Sequence, residues 1–490
     1  MTPGYGNFGQ GTWQPGWPPA GPPPRRPRPR WLVPLIAAGT AVLLIGVFLV
    51  VAAAVGAHES AQDSAAPPTA RAKRIQLPVT PDPLFAKLTR DIQDKNETAF
   101  LSVVALAARH AVRSWWANQM ALGFTTGAII PATDDDQVTL DGSGDATMTV
   151  LAGTHNPFDP AGSDGLPDVP SEQYQVGLHF ASQTATGEIT SWKPIDNAPW
   201  DQGIQLYVRK AAHVVVAGDP DDSALVNQTL PLAEAAAEYD IKLLDNINPK
   251  DLHQSGFVVF VSSHPATRNA WFRDGPQPTG WSGDAYGGLT FPLPGADADY
   301  SSITNKISSD PVGGARVIVV PYQQAGETPH TETAVLVHEF IHDILFPDVN
   351  GFYNGSNAVP AWANEGIAVA VQDLYLSDSD PAPATYHFGV LTNAVQGLPS
   401  TYRDGSLPST EQIYDESQTV GYDWYQVAGS AYEYIALKYG MNQMFAAAVL
   451  LTTNDNTPFG NVLASNKNGT LTFYSASSIE SGWRAWLAGL

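Results

Sequence analysis

The sequence predicts an α+β protein with a single N-terminal transmembrane helix, and three observations carry that reading. Residues 31–55, WLVPLIAAGTAVLLIGVFLVVAAAV, contain no charged side chain. Beyond them a long helical stretch is followed by short extended runs separated by Gly, Pro and Asp turns. After Ser223 strands come first and helices later, as expected when a small sheet covers a helical body. A chain of 490 residues also exceeds what one core usually organises, so two folded parts are expected beside the apolar segment.

Residues 1–30 form a Gly/Pro-rich tail without apolar periodicity, too rich in proline for a helix and expected to be disordered. At about 1.5 Å of rise per residue the uncharged run is long enough for a hydrocarbon core of roughly 30 Å. It also exceeds the apolar core of a cleaved signal, roughly 7–15 residues, so a retained transmembrane helix over 31–56 is expected. Arg25, Arg26, Arg28 and Arg30 stand just before it, which favours a cytoplasmic N-terminus and C-terminal domains outside the cytoplasm, at the cell membrane. An Ala/Ser/Pro-rich linker follows over 57–75.

Residues 76–222 read as an α+β accessory domain. Helices are expected between Pro83 and Leu122, and strands at Ala146–Leu151, Tyr174–Ala181, Ile204–Val208 and His213–Ala217. In element order this part resembles the cone-shaped nuclear-transport-factor-2-like domains. In residues 223–490, Ala224–Leu244 reads as a helix and Gly256–Ser262, Gly287–Leu293 and Arg316–Pro321 as strands. Helices are then expected at Thr331–Leu345, Trp362–Tyr375, Trp424–Tyr439, Asn442–Leu450 and Ser478–Leu487, with Gly440 stopping the third.

Composition narrows the chemistry. The formal charge is −23, and the four arginines are the only charges before Glu59, so the folded parts carry all of the acid. Such a field repels nucleic acid and anionic headgroups, and no basic patch offsets it; no nucleic-acid partner is expected. With no cysteine, disulfides, thiolate catalysis and Cys-ligated zinc are excluded, which leaves His, Asp and Glu as metal ligands. Neither a GxxxxGK[ST] phosphate loop nor a GxSxG nucleophile turn occurs.

The stretch that carries chemistry is HEFIH, His338 to His342. Residues four apart on a helix share a face, so both imidazoles can approach one metal ion, with Glu339 beside them to serve a water. Val335, Leu336, Phe340, Ile341 and Leu345 make the helix a buried one. A catalytic zinc needs a third protein ligand and an open position. AWANEGIAVAV supplies Glu365, whose carboxylate amid Ala, Ile and Val would be costly to bury unless paired or coordinated.

These segments, His338–His342, then Pro360-Ala361-Trp362-Ala363-Asn364-Glu365-Gly366, then YQVAGSAYEYIALKYG from Tyr425 to Gly440, resemble the gluzincins, especially their peptidase MA-like branch. The resemblance covers roughly 225–490. It implies a Zn2+ held by His338, His342 and Glu365, Glu339 as the base that activates water, and a peptide or protein substrate. Many gluzincins use a later His or Tyr to stabilise the oxyanion, for which Tyr425 and Tyr422 are positional candidates. Gly287-Gly288-Leu289-Thr290-Phe291 reads as an edge strand able to pair with a peptide backbone. Asp343 is a candidate acceptor for an imidazole N–H, and Asn364 for orienting the ligand helix or its carboxylate. The remaining histidines read as packing or polar residues. A membrane-tethered binding or scaffold protein with an inactive peptidase-like fold is the alternative.

Overall fold

The computed structural model describes residues 78–79, 81–132, 138–141, 143–159, 168–182, 185–247, 254–272, 287–293, 295–297, 314–319, 328–345, 360–377, 388–413, 419–453, 462–465 and 471–490. The tail, anchor and linker read at 1–75 lie outside them. Among the described residues no helix is long and apolar enough to cross a membrane.

After β1 (Pro78–Val79) the expected helical stretch divides into α1 (Asp82–Gln93), α2 (Glu97–Leu101) and α3 (Arg109–Leu122). Local chemistry sets the start of α2 and the end of α3. The Asn96 side chain caps α2 by accepting from the Ala99 N–H at 3.0 Å, and α3 ends at Gly123, whose φ of +101° suits a residue without Cβ. Four longer strands and one short one follow: β2 (Thr126–Pro131), β3 (Val138–Thr139), β4 (Asp145–His155), β5 (Asp168–His179) and β6 (Glu188–Pro194). β2 and β6 were not expected from the sequence. β3 pairs with β1, while β2, β4, β5 and β6 form an antiparallel sheet. No pairing among the described residues closes that sheet into a cone.

The second part contains β7 (Tyr207–Lys210), β8 (Val214–Gly218), α4 (Ser223–Ile247), β9 (Phe257–Val261), α5 (Pro265–Ala270), β10 (Gly288–Pro292), β11 (Gly295–Asp297) and β12 (Ala315–Val319). Helices dominate from there: α6 (Pro329–Leu345), α7 (Ala361–Leu376), α8 (Gly389–Gly397), α9 (Thr410–Ile413), α10 (Thr419–Tyr439) and α11 (Met441–Thr453). A β13 (Val462–Ser465) and β14 (Leu471–Tyr474) hairpin and α12 (Ala476–Ala488) complete the chain.

A central sheet runs in the order β10-β12-β9-β8-β7, parallel between β12, β9 and β8 and antiparallel at both ends. Its inner strands are almost continuously apolar because both faces are buried. Val214, Val216, Phe257, Val259, Val261, Val317 and Val319 pack with α4 and α6, and Phe257 stacks on Phe340 of α6 with ring centroids 3.9 Å apart. The alternate residues Val215, Ala217, Val258, Phe260 and Ile318 join the aromatic core of the first part, with Trp115, Tyr174 and Trp200.

The two parts are thus joined through one sheet, and residues 75–490 form a single compact unit. β7 and β8, which precede the boundary read at residue 222, belong to the same sheet as β9, β12 and β10. β11 in turn lies beyond that boundary but pairs with β5 of the first sheet, Gly295 opposite Pro170. A buried ion pair, Arg316 of β12 to Asp159 at 2.8 Å, links the same two regions.

Candidate metal centre

The helix that carries HEFIH is set by its own first residues. Thr328 Oγ1 accepts from the Thr331 N–H at 3.3 Å and Thr331 Oγ1 accepts from the Thr328 N–H at 3.0 Å, a reciprocal cap with Pro329 at the first helical position. From this start the helix runs under the central sheet, and His338, Glu339 and His342 are 9%, 6% and 5% exposed. α7 crosses it and brings Glu365, 7% exposed, to the same point. Gly366 lets α10 close on α7, since a Cβ there would fall 2.7 Å from the Ala428 oxygen.

His338 Nε2, His342 Nε2 and Glu365 Oε2 form a nearly equilateral triangle. The two nitrogens are 3.2 Å apart, and each is 3.3 Å from the carboxylate oxygen. Donors about 2.0–2.1 Å from a shared tetrahedral zinc stand roughly 3.3 Å from one another, so the triangle has the right size for that ion. The opposite ring nitrogens are committed. His338 Nδ1 lies 3.2 Å from Gln372 Oε1 and His342 Nδ1 lies 3.2 Å from Asn364 Oδ1. Amide oxygens only accept, so Nδ1 carries the proton in each ring and Nε2 is left with its lone pair toward the centre of the triangle.

Two lone pairs facing each other across 3.2 Å call for a cation between them. Burial disfavours the charged imidazole of His342, but Glu365 through its field and hydrogen bond, then Glu339 and Asn364, outweigh it and raise its pKa to about 9. Burial alone would raise Glu365, yet His342 and His338 hold its carboxyl well below the usual range. Glu339 is raised by burial, only partly offset by the two imidazoles and by the Thr290 hydroxyl on its Oε2 at 2.7 Å. A carboxylate moved toward neutrality is a better proton acceptor and donor near neutral pH.

The three expected ligands are therefore brought together, with Glu339 on the same helix. Tyr425 on α10 has its ring centroid 6.4 Å from that of His338; the side chain of Tyr422 lies outside the described residues. Asp343 does not take an imidazole N–H. It accepts from the Ala315 backbone and faces the Arg316 guanidinium, because the residue after His342 is turned about 100° around the helix axis. Gln372 went unread in the sequence, although it stands seven positions after Glu365 and so on the same face of α7.

Among the described residues this is the only cluster of three or more His, Asp or Glu side chains able to share an ion. His330 stacks on Tyr375 at 4.7 Å, His179 pairs with Asp145 at 2.8 Å, and neither joins it; His253 and His387 lie outside the described residues. No family model matches the chain, and no curated protein matches it. The assignment rests on the site itself: a buried His/His/Glu triad suited to one divalent metal such as Zn2+, with a carboxylate beside it, is the centre of a zinc metallopeptidase.

Proposed function

We propose that this chain is a gluzincin-like peptidase that hydrolyses an extended peptide or protein segment outside the cytoplasm, anchored by residues 31–56. The observation that carries the hydrolytic reading is the 3.2–3.3 Å donor triangle with Glu339 on the adjoining face of the same helix. A zinc ion held by His338, His342 and Glu365 would supply Lewis acidity to the scissile carbonyl and lower the pKa of a water.

The protein's own groups do the rest. Gln372 and Asn364 hold the imidazoles in the tautomer that leaves Nε2 free. Glu339 takes one proton from the attacking water and delivers it to the departing amine nitrogen, so the peptide C–N bond is replaced by a C–O bond and the carboxylate is regenerated. Tyr425 is the proposed donor to the developing oxyanion. β10, at one end of the strand order of the central sheet and with Gly288 and Thr290 against the Glu339 side chain, is the proposed support for an extended substrate.

The test compares the full chain with its Glu339→Gln variant, measuring zinc content and cleavage of a mixed library of fluorescence-quenched peptides. The variant is expected to keep its zinc and lose about 10²–10⁴-fold in kcat. Near-normal turnover by the variant overturns the base assignment. Zinc-loaded wild-type protein without turnover across the library favours a binding role instead. Protease treatment of intact cells tests the anchor: removal of the C-terminal mass is expected, and full protection in cells permeable to the protease overturns the orientation.

A further inference from the structure

The edge strand β10 touches the proposed base directly. Its pleat sorts its residues: Leu289 lies opposite Ile318, which faces the aromatic core, whereas Gly288 and Thr290 lie opposite Val319 and Val317, which face the helices. Residues 288 and 290 are thereby turned toward α6. There Thr290 Oγ1 stands 2.7 Å from Glu339 Oε2 and 2.9 Å from the Glu339 backbone oxygen. A Cβ on residue 288 would fall 2.5 Å from Glu339 Cγ and 2.9 Å from Oε1, so the Glu339 side chain lies against bare backbone at Gly288.

These contacts do more than fasten a strand to a helix. The 2.9 Å contact to the backbone oxygen would serve that purpose with any side chain at position 339. The hydroxyl has one proton to give to these two acceptors, and the carboxylate oxygen, nearer at 2.7 Å and a charge-assisted acceptor when ionised, is the favoured one. The hydroxyl engages one carboxylate oxygen of the two, while Gly288 clears the space the side chain occupies.

We propose that Thr290 is a positioning residue for Glu339: its hydroxyl holds Oε2 and so presents Oε1 as the oxygen that accepts and returns the proton. This rests on the reading of Glu339 as the base. It also places the base under the control of the strand on which an extended peptide would pair, so that substrate docking and base orientation share one element.

The test uses the full chain with zinc and compares Thr290→Val, which keeps the branched shape and loses the hydroxyl, with Thr290→Ser, which keeps the hydroxyl. On fluorescence-quenched casein or the peptide library, Thr290→Val is expected to lose about 10–100-fold in kcat at unchanged KM and zinc content, and Thr290→Ser to recover most of it. Wild-type kcat in the valine variant overturns the proposal, as does an equal fall in both variants or a loss of zinc. Crystal structures of the two metal-free variants give a readout independent of activity. A Glu339 carboxylate displaced from residue 288 with valine, and retained with serine, supports the proposal; one unmoved by valine overturns it. Should wild-type protein fail to cleave any substrate, the peptidase reading falls, while these structures still decide what Thr290 does.

Discussion

Glu365 and Asp373 lie on the same helix, both buried, at 7% and 3% exposure, yet their carboxyls are driven in opposite directions. Glu365 meets two imidazoles and is held low. Among the described residues Asp373 meets no cation; burial raises it to about 7, and its Oδ1 accepts the Leu391 N–H at 2.5 Å. Its neighbour in charge is Glu433 of α10, raised to about 8 by burial even though it accepts from the Thr392 hydroxyl, with Asp373 adding to the rise. Comparable burial thus yields a metal-ready anion at one point and a carboxyl raised to about 7 at the other. The partners across the helix interface decide which, since desolvation alone always favours the neutral form. Asp373 and Glu433 accordingly read as groups that hold the start of α8.

The largest effect should come from exchanging the charge at each position in turn. Glu365→Gln should empty the site, because a neutral oxygen is a poorer ligand, whereas Asp373→Asn should leave metal content unchanged. Zinc measured by elemental analysis after dialysis checks both; undiminished zinc in Glu365→Gln would remove it from the ligand set, and zinc loss in Asp373→Asn would erase the contrast.

A smaller loss is expected at Gln372, the residue next to Asp373 that faces the other way. Removing its acceptor in Gln372→Ala frees the His338 ring to turn, and zinc affinity should fall about 10–100-fold without complete loss. Titration against a competing chelator measures this, and affinity equal to wild type would make the 3.2 Å contact incidental.

The smallest effect concerns pH. Between the unfolded carboxylate values near 4 and the folded values of about 7 and about 8, the native protein holds more protons at Asp373 and Glu433 than the unfolded chain does. Their contribution to stability is therefore fully present below the lower limit, declines as pH rises through the window and levels off above it. In Glu433→Gln, whose amide cannot ionise, the decline in urea stability should be shallower by up to roughly 1.4 kcal/mol per pH unit. Parallel curves for the two proteins would show that Glu433 ionises normally in the fold.

Much of this is legible in the sequence. The periodicity over 331–345 and 362–375 foretold α6 and α7 to within two residues at each end. Within 83–122 the first break depended on a single-residue signal, the cap at Asn96, and the second on a contact distant in sequence, the bridge of Val104 to Ile189. β2 was missed because GAIIP is a short apolar run without alternation, and its burial comes from α1 and β4 packing on it. The strand expected at Ile204–Val208 starts three residues later, as β7, and that at His213–Ala217 matches β8, but which sheet they join is a matter of pairing between distant segments, on which a local pattern is silent.

The same division holds at the site. The sequence by itself determined the ligand types and the base, because a spacing of four on a helix places His338 and His342 on one face whatever surrounds them, and because a carboxylate in an apolar helix demands a partner. Only the tertiary structure decided that Gln372 and Asn364, rather than Asp343, take the imidazole protons, and that a threonine from an edge strand 49 positions away in sequence reaches Glu339. Those contacts arise where α6, α7 and β10 are pressed together by the burial of their apolar faces, and the resulting angles between elements are set by the packed core as a whole.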